Sequence, residues 1–485
     1  MPMQTAEPSV TVSRLQSGVR RAEPMVWLSA GAVVLALMVL LGLLTLLASR
    51  GFPHFWPQPL IQLQSAEGNP QIQLGVILDR ELDTKETLHR VLLHRGAEDY
   101  YDSPLLWIDE GRVTDRKVPE SAVVIERKNQ GPVFGFLQAL ETKKHSQALT
   151  GLSPLAQIAR VETALSEGLP GAGGLLQLRL ASGRVIEVSL EDLRTVYAPN
   201  AMTARDKIAH FFAAMGRFLG DSPRQGNSQG GVFPAILGTV ILVILMALIV
   251  SPVGVLAAIY LQEYAYRGPV TRLVRIAVNN LAGVPSVVYG VFGLGFFVYA
   301  IGGSLDALLF EDRLPTPTLG SPGLLWSALT MALLTLPVVI VSTEEGLARV
   351  PTSLREGSLA LGATRAETLW NVVLPAASPA ILTGLILAIA RATGEVAPLL
   401  LVGVAKYAPG LPVSGEFPYL HLDRQFMHLG FSVYDLGFQS THIETVEGLV
   451  FATALLLVLI ALLLNIAAVL LRSRLRNAFK PQEAV

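Results

Sequence analysis

Six long apolar stretches mark this chain, and a segment rich in charged residues separates the first of them from the other five. A bilayer core about 30 Å thick is crossed by about 20 apolar residues in helical form, because a helix satisfies its own backbone polar groups. The pattern therefore predicts six transmembrane helices. They run from Met25 to Ala48, Gly231 to Leu261, Leu281 to Gly303, Gly323 to Thr343, Ala377 to Val404 and Gly448 to Leu471.

Residues 49–230 are predicted to form a soluble insertion, since more than half of the charged residues of the chain fall there. Apolar and polar side chains alternate on both sides of Ser182-Gly183, which predicts a β-hairpin. Further strands are predicted at Ile72 to Leu78 and Ala122 to Ile125, and helices at Asp83 to His94 and Met202 to Leu219. We expect a small α+β domain, joined to the second span by a polar, glycine-rich hinge from Asp221 to Gly230.

Lysine and arginine residues indicate the orientation, because cytoplasmic loops carry an excess of them. With the N-terminus in the cytoplasm, thirteen fall in cytoplasmic segments and three in the short external loops. We expect the first stretch to be a retained anchor, since no small-residue cleavage site follows it. In a bacterial inner membrane the predicted order is a cytoplasmic tail (1–24), a first transmembrane helix (25–48), a periplasmic domain (49–230), a five-helix membrane domain (231–471) and a cytoplasmic tail (472–485).

Composition narrows the function classes. Hydrophobic residues make up 51% of the chain and charged residues 15%, against about 25% charged in a typical soluble domain. The net charge of −1 argues against a nucleic-acid partner, which would require a basic face. The chain has no cysteine and shows no catalytic or metal-ligand constellation. It also lacks the G-x-x-x-x-G-K-[ST] loop that cradles nucleotide phosphates, so we expect neither catalysis nor a bound cofactor or metal.

Two short helices are predicted between the fourth and fifth spans. Ser353 and Glu356 match a capping box, and Thr364 and Glu367 match a second one. Gly362 lies between the two boxes and can take the left-handed conformation that ends a helix. The segment from 344 to 375 is thus predicted to be a helical hairpin at the inner membrane surface.

This hairpin resembles the EAA loop of ABC importer permeases, in which Glu-Ala-Ala is followed at fixed spacing by Gly, Ile and Leu-Pro. Here small residues replace both alanines and valine replaces isoleucine, in the series Glu356, Gly357, Ser358, Gly362, Val372, Leu374 and Pro375. The resemblance implies that residues 344–375 couple the chain to a separate ATPase dimer. That ATPase would bind ATP and Mg, so this chain by itself is expected to be no enzyme.

The fifth span contains two ionisable residues, Arg391 about halfway along it and Glu395 four residues later. An ionisable side chain inside a membrane costs at least about 2.5–3.5 kcal/mol on insertion scales and usually marks a pathway. Residues four apart share a helix face and can pair, and a guanidinium matches the oxygens of an oxyanion. We predict a substrate pathway at Arg391, Gly394 and Glu395. The alternative is a self-neutralising pair that holds two subunits together, with Gly384 and Gly394 serving close helix approach.

A second candidate lies at the start of the third span, where Gly283 and Pro285 loosen a membrane helix. A hinge formed by Asn280, Gly283, Pro285 and Ser286 would suit a transporter that alternates its access. Tight packing against a neighbouring helix explains the same residues equally well.

Residues 280–286 and 391–400 are similar to the corresponding stretches of phosphate permeases. The run Glu395-Val396-Ala397-Pro398 resembles the PstA type rather than its partner PstC. The resemblance covers about residues 200–475 and leaves the 49–230 domain unexplained. It implies an all-α polytopic membrane protein of six transmembrane helices with the ABC importer permease fold, into which a soluble α+β periplasmic domain is inserted.

The same resemblance implies the partners of the chain: a PstC-type permease subunit, an ATPase subunit dimer, a periplasmic phosphate-binding protein, inorganic phosphate and the lipid bilayer. Three alternatives remain open. The first is a permease for another oxyanion, such as molybdate, tungstate or sulfate. The second is a membrane sensor with an external ligand-binding domain, although only 14 residues follow Leu471. The third is a proton-driven transporter, which would need no ATPase-docking loop.

Overall fold

The computed structural model describes residues 11–65, 71–82, 89–96, 99–141, 146–167, 174–408, 410–415 and 417–478. Within these ranges six helices are long and apolar enough to cross a bilayer, which confirms the predicted number. They are Val26–Phe55, Phe233–Tyr264, Ser286–Leu309, Leu324–Ala348, Arg365–Gly394 and Ile443–Arg474.

The first span is helix α1 (Thr11–Gly51), which continues into a 3₁₀ turn at Phe52–Phe55. Most of its large apolar side chains are exposed in the single chain, as expected for a helix that faces lipid or another subunit. Its last turn packs against the sixth span. A Cβ added to Gly51 would lie 2.8 Å from the backbone nitrogen of Ala452, so glycine permits this close approach.

The soluble domain is built on two antiparallel sheets. Its strands are β1 (Ile61–Ser65), β2 (Gln71–Leu82), β3 (His89–His94), β4 (Leu105–Asp109), β5 (Val113–Lys117), β6 (Ala122–Arg127), β7 (Val133–Glu141), β8 (Ser146–Ala148), β9 (Leu175–Arg179), β10 (Val185–Ser189) and β11 (Leu193–Tyr197), and its helices are α2 (Pro154–Glu167) and α3 (Ala204–Gly220). The first sheet has the order β4-β3-β2-β1-β5. The second has the order β10-β9-β7-β6-β11, with β8 paired to β7.

Buried apolar residues join the two sheets and cover the second one. Leu60 and Leu74 from the first sheet pack with Val124 and Phe134 from the second. A larger cluster combines the inward faces of β6, β7, β9, β10 and β11 with Ile158 and Val161 of α2. Strands β6 and β7 are therefore buried on both faces, since Val123 and Ile125 face the larger cluster while Val124 and Phe134 face the first sheet.

The structure confirms most elements predicted for this domain. Strands β9 and β10 pair as the expected hairpin, with Gly183 at a φ of 86° in the turn. Strands β2 and β6 and helix α3 also lie where they were predicted. The helix predicted from Asp83 to His94 is wrong in its described part, because His89–His94 is strand β3 between β2 and β4. Residues 83–88 lie outside the described residues.

The predicted hinge after α3 is a small ordered hairpin of two short strands, β12 (Pro223–Arg224) and β13 (Gln229–Gly230). Its turn holds Gln225, Gly226 and Asn227 at φ values of 43°, 64° and 71°. The side chain of Asn227 is buried and fixes this turn to the membrane domain. We call residues 221–230 the linker hairpin.

The membrane domain consists of α4 (Phe233–Ile259), α5 (Pro269–Leu281), α6 (Ser286–Phe292), α7 (Gly303–Leu309), α8 (Leu324–Ala348), α9 (Thr352–Ala360), α10 (Arg365–Thr368), α11 (Leu374–Gly394), α12 (Leu399–Val402), α13 (Leu429–Phe438) and α14 (Ile443–Ala478). Helix α8 is central and packs against α4 and α11. A buried apolar cluster that includes Leu242, Met246, Met331 and Ala388 fills the space between these three helices.

The third and fifth spans differ from the prediction in their boundaries. The third span begins at Ser286 rather than Leu281, because α5 is a separate helix that ends at Leu281. The fifth span begins as early as Arg365 and ends at Gly394 rather than Val404. Residues 395–398 are not helical, so the apolar run that follows Gly394 continues as a loop and the single turn α12.

Candidate functional site

Arg391 and Glu395 form an ion pair at the end of the fifth span. The Nε of Arg391 lies 3.6 Å from Oε1 of Glu395, and the side chains are 36% and 24% exposed. The predicted pairing of these two residues is therefore present. The distance exceeds that of a hydrogen bond, and the buried Nε–H of Arg391 has no hydrogen-bond partner. The pair is loose and leaves one guanidinium donor unsatisfied.

The positions of the two residues differ from the prediction. Arg391 lies in the last turn of α11 rather than halfway along the span, and Glu395 follows the helix with extended backbone angles. The pairing does not arise from a shared helix face. A cation in the last turn of a helix is favoured by the partial negative charge of the free carbonyl groups there.

The structure brings this pair close to the predicted hinge through Tyr289 of α6. Arg391 lies near Tyr289, and the Tyr289 hydroxyl donates to the carbonyl oxygen of Leu281 at 2.7 Å. Leu281 is the last residue of α5. The two candidate sites, which lie more than a hundred residues apart in the sequence, therefore form one region of the membrane domain.

The chain breaks between α5 and α6 at residues 282–285, and Pro285 precedes the first residue of α6. A Cβ added to Gly283 would meet no atom closer than the carbonyl oxygen of Asn280 at 3.4 Å. Close packing against another helix of this chain therefore does not explain Gly283. The role of Asn280, Gly283, Pro285 and Ser286 as a moving hinge stays a prediction.

Glycines in and around the site have different surroundings. A Cβ added to Gly290 of α6 would lie 2.8 Å from the Cα of Pro398, so α6 contacts the loop after Glu395 directly. A Cβ added to Gly384 would lie 2.6 Å from the Cβ of Ser342, which confirms close helix approach at this position. Gly394 has open space around it, so close approach does not explain it.

The segment between the fourth and fifth spans forms the predicted helical hairpin, α9 and α10. Gly362 has a φ of 87° and ends α9. Thr364 caps α10: its hydroxyl accepts from the Glu367 amide, and the Glu367 carboxylate accepts from the Thr364 amide at 2.8 Å. The predicted second capping box is confirmed. From Leu369 the chain passes through a π-helical turn into Leu374 and Pro375 at the start of α11.

The first predicted capping box is wrong. Helix α9 begins at Thr352 after Pro351, and no side chain caps it. The ring of Pro351 fixes φ near the helical value and supplies no N–H that needs a partner. The helix therefore starts two residues earlier than a cap at Ser353 would allow, and Ser353 and Glu356 lie inside it.

Contacts of Arg355 fix the hairpin to the membrane domain, and a contact between two hydroxyls joins its two helices. Arg355 of α9 forms an ion pair with Glu263 at 3.0 Å and donates to the carbonyl oxygen of Leu347 at 2.7 Å. The hydroxyls of Ser358 and Thr368 lie 2.9 Å apart and join α9 to α10. Sequence reasoning missed Glu263 and Arg355, although an acidic residue just past the second span was a visible signal.

The outer face of α9 is exposed and mixed in character. Glu356 is exposed, and in the described residues it has no ion pair or hydrogen bond. Gly357 has open space around it. Large apolar side chains surround this face, with Leu361 91% exposed and Leu354, Leu359 and Trp370 also exposed. An exposed apolar patch on a short rigid helix is a surface suited to contact with another protein.

Comparison with known proteins identifies the class of this membrane domain. Residues 250–477 match the family model of the binding-protein-dependent transport system inner membrane component. The phosphate transport system permease protein PstA of Yersinia pestis is 33% identical over 247 residues, which cover 51% of this chain and 74% of the relative. PstA of Pasteurella multocida is 30% identical over 251 residues, covering 52% of this chain and 79% of the relative.

Other relatives match over a shorter length. PstA of Mycobacterium leprae is 37% identical over 178 residues, covering 36% of this chain and 53% of the relative, so the chain spans about half the length of the mycobacterial protein. A chain of the MetNI methionine ABC transporter, in an inward-facing crystal structure, is 20% identical with a TM-score of 0.36. The alignment covers 52% of this chain and 95% of that one.

The six spans, the hairpin between the fourth and fifth of them and the match to the PstA proteins of Yersinia pestis and Pasteurella multocida all indicate the same class of membrane protein. The chain is a multi-pass inner-membrane protein that belongs to the PstA-type permease family.

Proposed function

We propose that this chain is the permease subunit of an ATP-driven phosphate importer and that Arg391 and Glu395 contact the transported anion. The observation that carries the proposal is the loose intramembrane pair, in which the Nε–H of Arg391 lacks a hydrogen-bond partner. A guanidinium presents its donors in a planar fork that matches the oxygens of phosphate.

Glu395 supplies the counter-charge that makes binding reversible. In the absence of the anion the carboxylate neutralises Arg391 across 3.6 Å. An arriving phosphate competes with Glu395 for the guanidinium. The ion pair between Arg391 and Glu395 forms again when phosphate leaves. Because Glu395 lies in the non-helical segment after α11, it can move without unwinding a helix. Tyr289 links this exchange to the break between α5 and α6.

The hairpin formed by α9 and α10 transmits the conformational change driven by ATP hydrolysis to the membrane helices. Its exposed face would dock onto a separate ATPase subunit, which binds ATP and Mg, while this chain binds no cofactor. The ion pair between Arg355 and Glu263 connects α9 to the end of the second span, so displacement of the hairpin displaces that span. Glu356, Gly357, Ser358, Gly362, Leu374 and Pro375 belong to this coupling element.

The remaining assignments follow the distribution of basic residues and the family. Both termini face the cytoplasm and residues 49–230 lie in the periplasm. The partners are a PstC-type permease subunit, an ATPase dimer and a periplasmic phosphate-binding protein. In this proposal phosphate crosses the membrane at the interface that this chain shares with the PstC-type subunit.

Uptake of radiolabelled phosphate at micromolar concentration tests the proposal in cells that lack this gene and all redundant phosphate importers. We expect uptake to return with the plasmid-borne gene and to be reduced by arsenate but not by sulfate or molybdate. Arg391→Gln should abolish uptake while the partner subunits still co-purify. Arg313→Gln, which changes an exposed arginine on another turn, is the matched control.

The same assay separates the alternatives. Rescue of molybdate or sulfate uptake in place of phosphate uptake would assign another oxyanion to the same architecture. Unchanged phosphate uptake by the Arg391→Gln protein would exclude the pair from the pathway and favour its structural role between subunits.

A further inference from the structure

A cavity of about 840 Å³ lies where the soluble domain meets the membrane domain. Strands β2, β6 and β11 and helix α3 line it on one side. The turn after α1, the linker hairpin and the start of α14 line it on the other. Its volume falls in the range of small-molecule sites, which is about 300–1,000 Å³. The cavity is separate from the Arg391–Glu395 pair, since neither residue lines it.

Three arginines from three different elements line this cavity: Arg194 of β11, Arg217 of α3 and Arg224 of the linker hairpin. Two of them have a carboxylate nearby. Arg194 forms an ion pair with Asp221, and the Nη2 of Arg217 lies 4.0 Å from the Oε2 of Glu126. Both carboxylates line the cavity, as does Asp99, which pairs with Arg127 outside the lining. With Lys406 also in the lining, the cations still outnumber the carboxylates by one.

Arg224, the third cation, forms no ion pair in the part of the chain that the structure describes, although the charge of Glu126 acts on it. Its Nη1 donates to the backbone carbonyl oxygens of Arg127 at 3.1 Å and Lys128 at 3.3 Å. Its Nε is buried and has no hydrogen-bond partner. A buried charged donor that lacks a hydrogen-bond partner lowers the stability of the fold. A ligand oxygen at this position would accept the missing hydrogen bond from Arg224.

Electrostatic interactions among the three cations agree with this geometry. Burial lowers the pKa of Arg194, the nearby charges of Arg224 and Arg217 lower it further, and Glu126 raises it. Burial also lowers the pKa of Arg224, where Glu126 again raises it and Arg217 lowers it. The three guanidinium groups therefore repel one another, and an anion placed among them would relieve the repulsion.

We infer that this cavity is a binding site for a small anion that carries a phosphate group, with Arg224 as its principal contact and Arg194 and Arg217 as supporting cations. Donors that arrive from three separate elements suit the tetrahedral oxygens of a phosphate better than the two coplanar oxygens of a carboxylate. The cavity is larger than inorganic phosphate, so it also has room for a phosphomonoester.

The site lies apart from the proposed transport pathway, and binding of an anion there would have a different effect. Arg224 belongs to the linker hairpin, three residues before Asn227, whose side-chain amide donates to the Asp435 carboxylate of α13 at 2.9 Å. An anion bound to Arg224 would therefore hold the soluble domain against the membrane domain at this hairpin.

Isothermal titration of the purified full-length protein in phosphate-free detergent buffer tests the inference, with inorganic phosphate and glycerol 3-phosphate as the two probes. The Arg391→Gln protein is titrated in parallel, so that binding in the transport pathway is removed. We expect at least one probe to bind this variant. Arg224→Gln should weaken that binding by about tenfold or more, since hydrogen bonds to charged groups are lost.

Arg160→Gln, an exposed arginine on α2 outside the cavity, is the matched control and should bind as the parent does. Arg224→Lys keeps the positive charge but loses the planar pair of guanidinium donors, so it should also bind the probe more weakly. This variant replaces Arg224→Gln in the test if Arg224→Gln does not fold. Failure of both probes to bind the Arg391→Gln protein, or unchanged affinity after both changes of Arg224, would overturn the inference. Neither result bears on phosphate uptake through Arg391.

Discussion

Arg355 of the hairpin and Glu263 at the end of the second span lie 3.0 Å apart, as Nη1 and Oε1. Both side chains are largely shielded from solvent, and Arg355 also donates to the carbonyl oxygen of Leu347. The contact joins the proposed ATPase-docking element to two different spans. A movement of α9 would thus be passed to the membrane helices through a charged, directional contact as well as through apolar packing.

We predict that Arg355→Gln lowers the free energy of unfolding by about 1–3 kcal/mol, because it removes charge-assisted hydrogen bonds in a partly buried place. It should also raise the number of ATP molecules hydrolysed per phosphate transported. Thermal unfolding in detergent and coupled uptake in proteoliposomes measure the two effects.

The control for this change is Arg349→Gln, because the ion pair of Arg349 with Glu345 has side chains that are 78% and 62% exposed. Exposed pairs contribute about 0–1 kcal/mol, so the control should leave stability and coupling nearly unchanged. Equal effects of the two changes would show that Arg355 has no special role.

Gly384 should not tolerate even a methyl group. A Cβ at this position would lie 2.6 Å from the Cβ of Ser342 in α8, so Gly384→Ala must push α11 and α8 apart. Overpacking of a core typically costs about 1–3 kcal/mol, and we expect a lower Tm for the purified protein. A Tm equal to that of the parent would mean that the two helices are not in close contact.

Gly357→Ala is the matched change in open space, since no atom lies within 4 Å of an added Cβ there. Gly357 lies inside α9, where alanine is favoured over glycine by about 0.5–1 kcal/mol. The Tm of this variant should equal or exceed that of the parent.

Asp99 should stabilise the soluble domain in a pH-dependent way. Its oxygens accept from the buried Arg127 guanidinium at 2.6 and 2.9 Å. Burial acts to raise the pKa of Asp99, but the hydrogen bonds from Arg127 outweigh it and hold the pKa below its ordinary value of 3.8. A carboxyl group with a lowered pKa in the folded state stabilises that state above the unfolded pKa, and the effect is lost as pH falls through the folded pKa.

Asp99→Asn should therefore destabilise the domain at pH 7 by about 1–3 kcal/mol, because it leaves a buried arginine without its counter-charge. The difference from the parent should shrink as the pH is lowered below 3.8. Unfolding monitored by circular dichroism from pH 7 to pH 2 provides the measurement. Asp115→Asn, which breaks the exposed pair with Lys117, should show neither effect.

Asn227 should hold the linker hairpin to the membrane domain through its side chain. It donates to Asp435, which is 1% exposed and also pairs with Lys406 at 2.9 Å. Asn227→Gly keeps a backbone suited to the φ of 71° and removes only the side chain. We expect a loss of about 1–3 kcal/mol, since a buried charged acceptor loses a donor.

Gln225→Gly provides the control, because Gln225 has a φ of 43° and an exposed side chain. That change relieves backbone strain without removing a contact to Asp435, so stability should hold or rise slightly. Hydrogen exchange of residues 221–230 should increase in the Asn227 variant alone. Increased exchange in both variants would indicate a backbone effect instead.

Hydropathy predicted the six spans correctly because the cost of exposing polar groups to lipid depends on composition over about 20 residues. It did not predict where helices end inside apolar sequence. Residues 395–404 are nearly as apolar as the span before them, yet the helix stops at Gly394. Just past this boundary Pro398 packs against Gly290 of α6, a contact between segments more than a hundred residues apart that hydropathy does not register.

Local rules succeeded where the contacts were local. The capping box at Thr364 and Glu367 and the left-handed Gly362 form as predicted, whereas the box at Ser353 does not, because Pro351 initiates the helix first. Strand β3 shows where local rules fail. Its buried run Val91–Leu93 is apolar throughout, so its periodicity does not distinguish strand from helix, and its two neighbouring strands decide the outcome.

The chain enters and leaves the soluble domain at neighbouring points. Phe55, just after α1, and Phe218, near the end of α3, have ring centroids 5.2 Å apart and share one apolar cluster with Val232. An insertion whose two ends meet can be gained or lost without rerouting the rest of a polypeptide. A domain inserted in this way adds no membrane helix and leaves the order of the existing ones unchanged.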